Sequence, residues 1–359
     1  MLVLQNTIST LLHECMVDII IACYKHIQKA PRYPSGLLCY TEYDKNSTDE
    51  VRDIKILNFG SLNIDRVYTV DSFVRPGETI PSINFEMFPG GKGLNQSIAV
   101  ARAGSQIYHA GKIGPDGQML MSALIENGIH TDFVLKNGTY SGHAVIQVNK
   151  YGSNCILLHG GANQEITKSE VDMVFDSFSA GDILLLQNEI NNIPYIIDKA
   201  FSKYMKIVLN PSPMDSVLKE ADLNKISYLI LNEVEGGDFT GETHPYKIMD
   251  SLLNRFPHLK VVLTLGKSGA MYGDELNRIQ QGVYQVNTVD TTAAGDTFLG
   301  YFISRISMGS PSWSAMKMAA LASALSVTKK GASTSIPTWD EVLQFSALRE
   351  KDKPRKIRA

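Results

Sequence analysis

The chain has 359 residues, of which 44 % are hydrophobic and 20 % charged, enough apolar material for a sizeable core in one large α/β domain with appendages. Its formal net charge of −3 offers no basic surface for nucleic acid. Four cysteines, Cys15, Cys23, Cys39 and Cys155, show neither metal-ligand spacing nor the density of a disulfide framework, so free thiols in a reducing cytoplasm are the simplest reading.

Residues 1–50 read as an appendage. Leu11, Leu12, Cys15, Ile19, Cys23 and Ile27 fall near helical spacing and predict a helix over Ile8–Ile27. Its apolar centre, Met16–Cys23, contains Asp18 and is far shorter than the roughly 20 residues of a membrane span. No basic segment precedes it and no small-residue cleavage site is clear, which argues against a secretory signal. Pro31, Pro34, Gly36 and the polar run Asp44–Glu50 predict a linker over 29–52. The segment is thus a helix plus linker, or an upstream start that is not the natural one. The organised domain is expected over 51–345, and a basic tail over 346–359.

The domain opens with the apolar run Ile54–Phe59, ending at Gly60. Asn63 and Asp65 follow it. In open α/β sheets ligands sit outside the carboxyl ends of strands, so these two side chains are placed to read sugar hydroxyls; an Asx-type turn is the alternative. Residues 66–89 alternate as two strands about a turn at Arg75–Glu78 and predict a hairpin that acts as a lid. Gly90-Gly91-Lys92-Gly93-Leu94-Asn95-Gln96 then opens a helix over Ser97–Ala103. Its three glycines permit close backbone approach, and Lys92 and Asn95 add a donor and an amide; a loop with no ligand is the competing view. The spacing of a Walker loop is missing.

A βα rhythm follows: a strand at Ile107–Ala110, a helix over Gly117–Asn127, and a second hairpin-like pair at 142–148 and 154–159 around Tyr151–Ser153. Asp182–Gln187, Lys206–Asn210, Tyr228–Asn232 and Lys260–Gly266 read as buried parallel strands, with a helix over 246–255. Asn63, Asp65, Glu189, Asn232, Glu235 and Thr264 gather at the same ends of successive strands, which favours a site over isolated caps. Val283–Val286 reads as a strand leading into Asp290–Gly300, where a helix begins whose apolar side carries Phe298, Tyr301, Phe302 and Ile306. Ala293, Ala294 and Gly295 would let an anion reach the first-turn N–H groups. Asp296 in that turn reads either as an N-cap or as a general base beside a transferring phosphoryl group.

The Gly90–Gln96 turn and the Asp290–Phe298 stretch, with Gly60–Asp65 and Thr264–Gly269, resemble the signatures of the ribokinase-like sugar kinases from about Ile54 to about Leu343. The resemblance implies the ribokinase-like α/β fold: a central, mostly parallel sheet with helices on both faces and a small β lid at about 66–89 and 142–159. It implies ATP-dependent phosphorylation of D-ribose at its 5-hydroxyl. Asn63, Asp65, Gly91, Lys92, Asn95 and Glu189 would hold the sugar. Asn232 and Glu235 would help place the phosphates and magnesium (Mg2+), while Thr264, Gly266 and Gly269 would meet the nucleotide. Ala293, Ala294 and Gly295 would form the anion hole, and Asp296 would be the base. Asp290, Thr292, Ser326, Lys329, Gly331 and Ser335 would surround a monovalent cation, potassium (K+). Two departures stand out: Gln187-Asn188-Glu189 replaces the more familiar Gln-Leu-Glu, and Ala320 lies where many relatives place His or Asn against adenine. A lid-clasped homodimer is implied, with no nucleic-acid or membrane partner. Other readings are a kinase for another sugar or a nucleoside, and a sugar sensor with dead chemistry, against which the intact Asp296 turn argues.

Overall fold

The computed structural model describes residues 54–349 apart from 216, 217, 219 and 220; the expected helix Ile8–Ile27, the linker 29–52 and the end of the basic tail lie outside the described residues. The main sheet begins in its middle. Strand β1 (Ile56–Phe59) is flanked by β4 (Ile107–Lys112) and β8 (Ile183–Gln187), both parallel to it. From β4 the sheet extends to β5 (His130–Leu135). From β8 it runs through β9 (Lys206–Asn210), β10 (Tyr228–Asn232) and β11 (Lys260–Thr264), all parallel, to the antiparallel pair β12 (Ala270–Gly273) and β13 (Arg278–Gln281). The strand order therefore reverses between β1 and β8. A crevice forms at the carboxyl ends of strands at such a point.

Strands buried on both faces need apolar residues at every position, and β1 and β8 have none exposed. Alternate side chains serve two cores. Ile56, Ile183, Leu185, Val208 and Ile230 face one layer, with Leu94, Ile98, Phe298, Tyr301 and Met316. Leu57, Phe59, Leu184, Leu186 and Leu209 face the other, with Val171, Phe175, Ile196, Ile248 and Leu252. The first layer holds α1 (Lys92–Arg102), α2 (Gln118–Glu126), α7 (Ala294–Ser307) and α8 (Ser312–Ser326); the second holds α3 (Lys168–Phe175), α4 (Ile193–Ser202), α5 (Glu233–Thr240) and α6 (Pro245–Arg255). A last helix, α9 (Trp339–Leu348), runs through residue 345, so helical structure crosses the expected start of the tail. No helix among the described residues is long and apolar enough to cross a membrane.

The contact between α1 and α7 positions the chemistry. A Cβ on Gly300 would lie 2.3 Å from the Ala99 Cβ, so the two backbones meet there. Asp296 is one helical turn before Gly300, and Asn95 and Gln96 are about one turn before Ala99. The close crossing brings these side chains face to face.

A second, smaller sheet holds four strands, β3 (Asn84–Gly90), β2 (Asn63–Thr69), β6 (Gly142–Val148) and β7 (Asn154–His159), in that order, a sheet consistent with the expected lid. The two expected hairpins are joined into one sheet by parallel pairing of β2 with β6. Both anticipated turns are present: Glu78 N–H bonds the Arg75 carbonyl at 3.0 Å, and Gly152 N–H bonds Asn149 at 2.9 Å.

Three sequence expectations need correction. Asn63 and Asp65 are the first and third residues of strand β2 rather than part of an Asx turn, because Gly90 and Phe88 pair with them across the ladder. Helix α1 starts at Lys92, not Ser97, because Gly91 with φ 92° ends the extended chain and frees the next residue for helix. Val283–Val286 forms no strand of the sheet, since the β12–β13 ladder ends at the Ala270–Gln281 pair. Strand β5 has only the short apolar run Phe133–Leu135, too little by itself to mark a strand in the sequence.

Candidate active site

Helix α7 begins without a side-chain cap. Its N-cap is Ala293, in a left-handed conformation with φ 58°, and Asp296 is the third helical residue. The N-cap reading of Asp296 is therefore wrong, and its carboxylate serves something else. First-turn N–H groups have no intrahelical acceptor; the Ala294 N–H turns back to the Thr291 carbonyl at 3.2 Å, while a Cβ on Gly295 would meet nothing within 4 Å, so the turn is open at that position. The turn is braced from behind, where the Ser323 hydroxyl of α8 donates to the Ala294 carbonyl at 3.0 Å.

Asp296 is 7 % exposed and held from α1. Gln96 Nε2 donates to Oδ1 at 2.9 Å, and Asn95 Nδ2 lies 3.3 Å from Oδ2. Gln96 and its partner Gln187, which ends β8, both stand in the sequence motifs, but nothing in those motifs gives either a role. Gln187 Nε2 donates to Gln96 Oε1 at 2.7 Å and to Asn58 Oδ1 at 3.0 Å. Buried amides of this kind carry no spacing signature; only their polarity within apolar runs marks them.

The expected sugar residues meet where Asn63 and Asp65 of the small sheet approach Gly91, Lys92 and Glu189 at the start of α1. Asn63 Oδ1 accepts from Asn163 Nδ2 at 2.8 Å, a partner not anticipated. Asp65 faces Gly90 so closely that a Cβ there would lie 2.1 Å from Oδ2. Burial, with Glu189 nearby, pushes the Asp65 pKa up to about 7. Glu189 accepts the Ser61 hydroxyl and the Lys92 backbone N–H, the latter at 3.1 Å, so it also stabilises the start of α1. Its carboxyl pKa is raised by burial, against the pull of Ser61 and Lys92. Burial disfavours the Lys92 ammonium, yet the carboxylates of Asp296, Glu189 and Glu235 raise its pKa overall. One cation thus faces three acidic groups.

Across the crevice Asn232 and Glu235 cap α5 reciprocally, each side chain taking the other's backbone N–H at 2.9 Å. A chamber of about 250 Å³ is lined by Lys92, Asn232, Glu235, Thr264, Gly295 and Asp296, among others. It adjoins a larger cleft of about 630 Å³, walled by Thr264, Gly266, Gly269, Tyr284, Phe298, Ala320 and Gly295. Thr264, Thr291 and Gly295 belong to both. The Val283–Val286 segment forms one wall. Gly269, with φ 97°, has no room for a side chain, because a Cβ would lie 2.0 Å from the Gln281 carbonyl oxygen.

Of the expected cation residues, Asp290, Thr292 and Gly331 are joined by hydrogen bonds, and the Lys329 N–H bonds the Ser326 carbonyl at 3.1 Å. Asp290 Oδ1 accepts from the Thr292 N–H and hydroxyl at 2.9 and 2.7 Å, and Oδ2 accepts the Gly331 N–H at 3.0 Å. Burial works against the Asp290 charge, but these bonds hold its pKa below the ordinary value. The Val327 carbonyl, at the end of α8, accepts the Val289 and Asp290 N–H groups. Ser326 and Ser335 are buried and turn their hydroxyls to nearby carbonyls, and the Lys329 ammonium pairs with Glu341 at 2.7 Å. The side-chain oxygens that the expected set brings together are the Asp290 carboxylate and the Thr292 hydroxyl. No cluster of three or more His, Cys, Asp or Glu fit for a metal occurs among the described residues.

The pattern of the pfkB family of carbohydrate kinases matches residues 53–339. The chain is 35 % identical over 297 residues to the ribokinase of Haemophilus influenzae, covering 80 % of this chain and 96 % of that one. It is 30 % identical over 317 residues to the deoxyribokinase of Salmonella typhi, covering 83 % and 100 %. The crystal structure of ribokinase from Cryptococcus neoformans in complex with ADP superposes with a TM-score of 0.72 at 32 % identity, covering 81 % of this chain and 99 % of that chain. Arabidopsis thaliana ribokinase complexed with ribose and ATP gives 0.73 at 28 %, covering 82 % and 99 %.

Proposed function

The chain belongs to the pfkB family of carbohydrate kinases, a sugar kinase family, and from that premise we propose that it transfers the γ-phosphoryl group of ATP to the 5-hydroxyl of D-ribose. The observation that carries this reading is the placement of Asp296: a buried carboxylate held by Asn95 and Gln96 in the open first turn of α7. Phosphoryl transfer demands alignment and charge stabilisation more than covalent help from the protein. Asn63, Asp65, Gly91, Lys92, Asn95 and Glu189 hold the sugar so that its 5-hydroxyl meets Asp296. The carboxylate takes the hydroxyl proton as the oxygen attacks phosphorus, and ADP leaves with its bridging oxygen. The Ala294 and Gly295 N–H groups, beyond Ala293, stabilise charge on the moving phosphoryl.

Thr264, Gly266 and Gly269 line the nucleotide cleft, with Ala320 opposite. Asn232 and Glu235 are the side chains that would hold magnesium, which supplies charge neutralisation to nucleotide oxygens when bound. Asp290, Thr292 and the carbonyls of Ser326, Lys329, Gly331 and Ser335 would hold potassium. The lid presents Asp65, Ala144, Leu158 and Ile156 on one face, the last two 44 % and 55 % exposed. A second copy's lid covering that apolar face would make the homodimer and shut water from the sugar. A cytoplasmic setting, with its ATP and reduced thiols, suits exposed Cys155.

The relative named as a deoxyribokinase favours a second reading, deoxyribose as acceptor. A coupled ADP-release assay across ribose, deoxyribose, fructose and adenosine decides between them. Highest catalytic efficiency with ribose supports the first reading; another acceptor in that place replaces it.

A further inference from the structure

We propose that Gln96 and Gln187 are positioning residues for Asp296, a buried amide relay that holds Oδ1 and leaves Oδ2, beside Asn95, to meet the acceptor hydroxyl. The proposal rests on the sugar-kinase reading above and extends it to residues that touch no substrate.

The orientation of each amide follows from its neighbours. Asn58 Nδ2 donates to the Gly93 carbonyl at 2.7 Å and to Ser97 Oγ at 2.8 Å. A carbonyl only accepts, so the nitrogen of Asn58 is fixed there and Oδ1 must face Gln187. Gln187 Nε2 therefore donates to Asn58, and its second hydrogen goes to Gln96 Oε1. That leaves Gln96 Nε2 as the donor to Asp296 Oδ1 and, at 3.1 Å, to Asn210 Oδ1. Asn210 is anchored in turn, donating to the Ile230 carbonyl at 2.9 Å. Backbone carbonyls close the network at both ends, and no amide in it has a competing orientation.

The relay is dry. Asn58, Gln96 and Ser97 are fully buried, and Gln187 is 1 % exposed. Gln187 Oε1 has no partner and lies where a side chain on Gly60 would need to sit, 2.4 Å from its Cβ. An unsatisfied buried acceptor opposes stability, so the amide is best explained by what its other end does. It ties strands β1, β8 and β9, the floor of the crevice, to the carboxylate on α7. The charged groups that also face Asp296 are Lys92 of α1 and Glu189 beyond β8, and Glu235 of α5 lines the same chamber. None of these bonds Oδ1, so the relay alone selects the oxygen.

The test compares wild type with Gln96→Glu, Gln96→Met and Gln187→Met, measuring kcat, both KM values and the pH dependence of kcat/KM. Loss of outer positioning is expected to lower kcat by about 10–100-fold, with the KM values for ribose and ATP nearly unchanged. Gln96→Glu sets a second carboxylate beside Asp296, so the acid limb moves to higher pH than in either Met variant. Gln187→Met lowers kcat although it contacts neither substrate nor base. A second readout needs no turnover: the Asp296 carboxyl titration, followed by carbon NMR, moves up in Gln96→Glu. If that variant does not fold, the two Met variants decide by their kcat-to-KM split. Wild-type kcat in both Met variants, or an unmoved carboxyl titration in Gln96→Glu, overturns the relay. Absence of wild-type turnover on every sugar contradicts the sugar-kinase reading instead, and the NMR result still stands by itself.

Discussion

The Asp290 carboxylate accepts the Gly331 N–H at 3.0 Å, tying the segment before the anion turn to the loop after α8. Removing it with Asp290→Ala frees that loop and takes away the only carboxylate of the proposed cation cage. Turnover of the wild type is expected to be higher in potassium than in sodium, and the variant to lose that difference. Steady-state rates at matched ionic strength check this. A retained potassium preference in Asp290→Ala would move the ion elsewhere.

Two glycines separate packing from chemistry. A Cβ on Gly93 would lie 2.3 Å from the Ser61 backbone nitrogen, with Gly60 also in the way, and backbone yields little. Gly93→Ala should therefore cost about 3 kcal/mol. A Cβ on Gly295 meets nothing within 4 Å. Gly295→Ala should keep or raise Tm, since alanine favours helix by about 1 kcal/mol, yet lower kcat at least about tenfold by placing a methyl in the phosphoryl space. Thermal melts and ADP release on the same samples decide; a destabilised Gly295→Ala with normal turnover contradicts this placement.

Asp65 makes stability fall with pH. Burial first, then Glu189, raises its folded pKa to about 7 from the model-compound value of 3.8. Between those values the folded protein holds a proton that the unfolded chain has released, so stability is lost as pH rises through the folded pKa. Asp65→Asn has no such proton. Its Tm relative to wild type should grow more favourable from about pH 5 to about pH 8, as calorimetry at both pH values would show. A constant difference would mean that Asp65 ionises freely in the folded state.

The parallel strands were legible because burial on both faces demands runs such as Ile183–Gln187 and Tyr228–Asn232, and each polar terminus marks the end where the crevice lies. The strands 142–148 and 154–159 were found at their observed bounds. The two glycine-rich turns announced themselves by composition. What stayed hidden depends on partners distant in sequence. Gln96 and Gln187 lie 91 residues apart, and nothing local tells that one amide orients the other. The parallel joining of β2 to β6 is likewise a tertiary choice. Val283–Val286 lines a cleft, and a short strand-like run alone does not distinguish that from pairing in a sheet.

The central claim is that Asp296 removes the proton from the acceptor hydroxyl. Asp296→Asn keeps the size of the side chain and removes its basicity, so the measurement is the single-turnover rate of ADP formation with ribose and ATP, wild type against variant, with Tm recorded for both. A fall of about 10²–10⁴-fold, with nucleotide binding retained, is the predicted result. Turnover at the wild-type rate in the folded variant would contradict it.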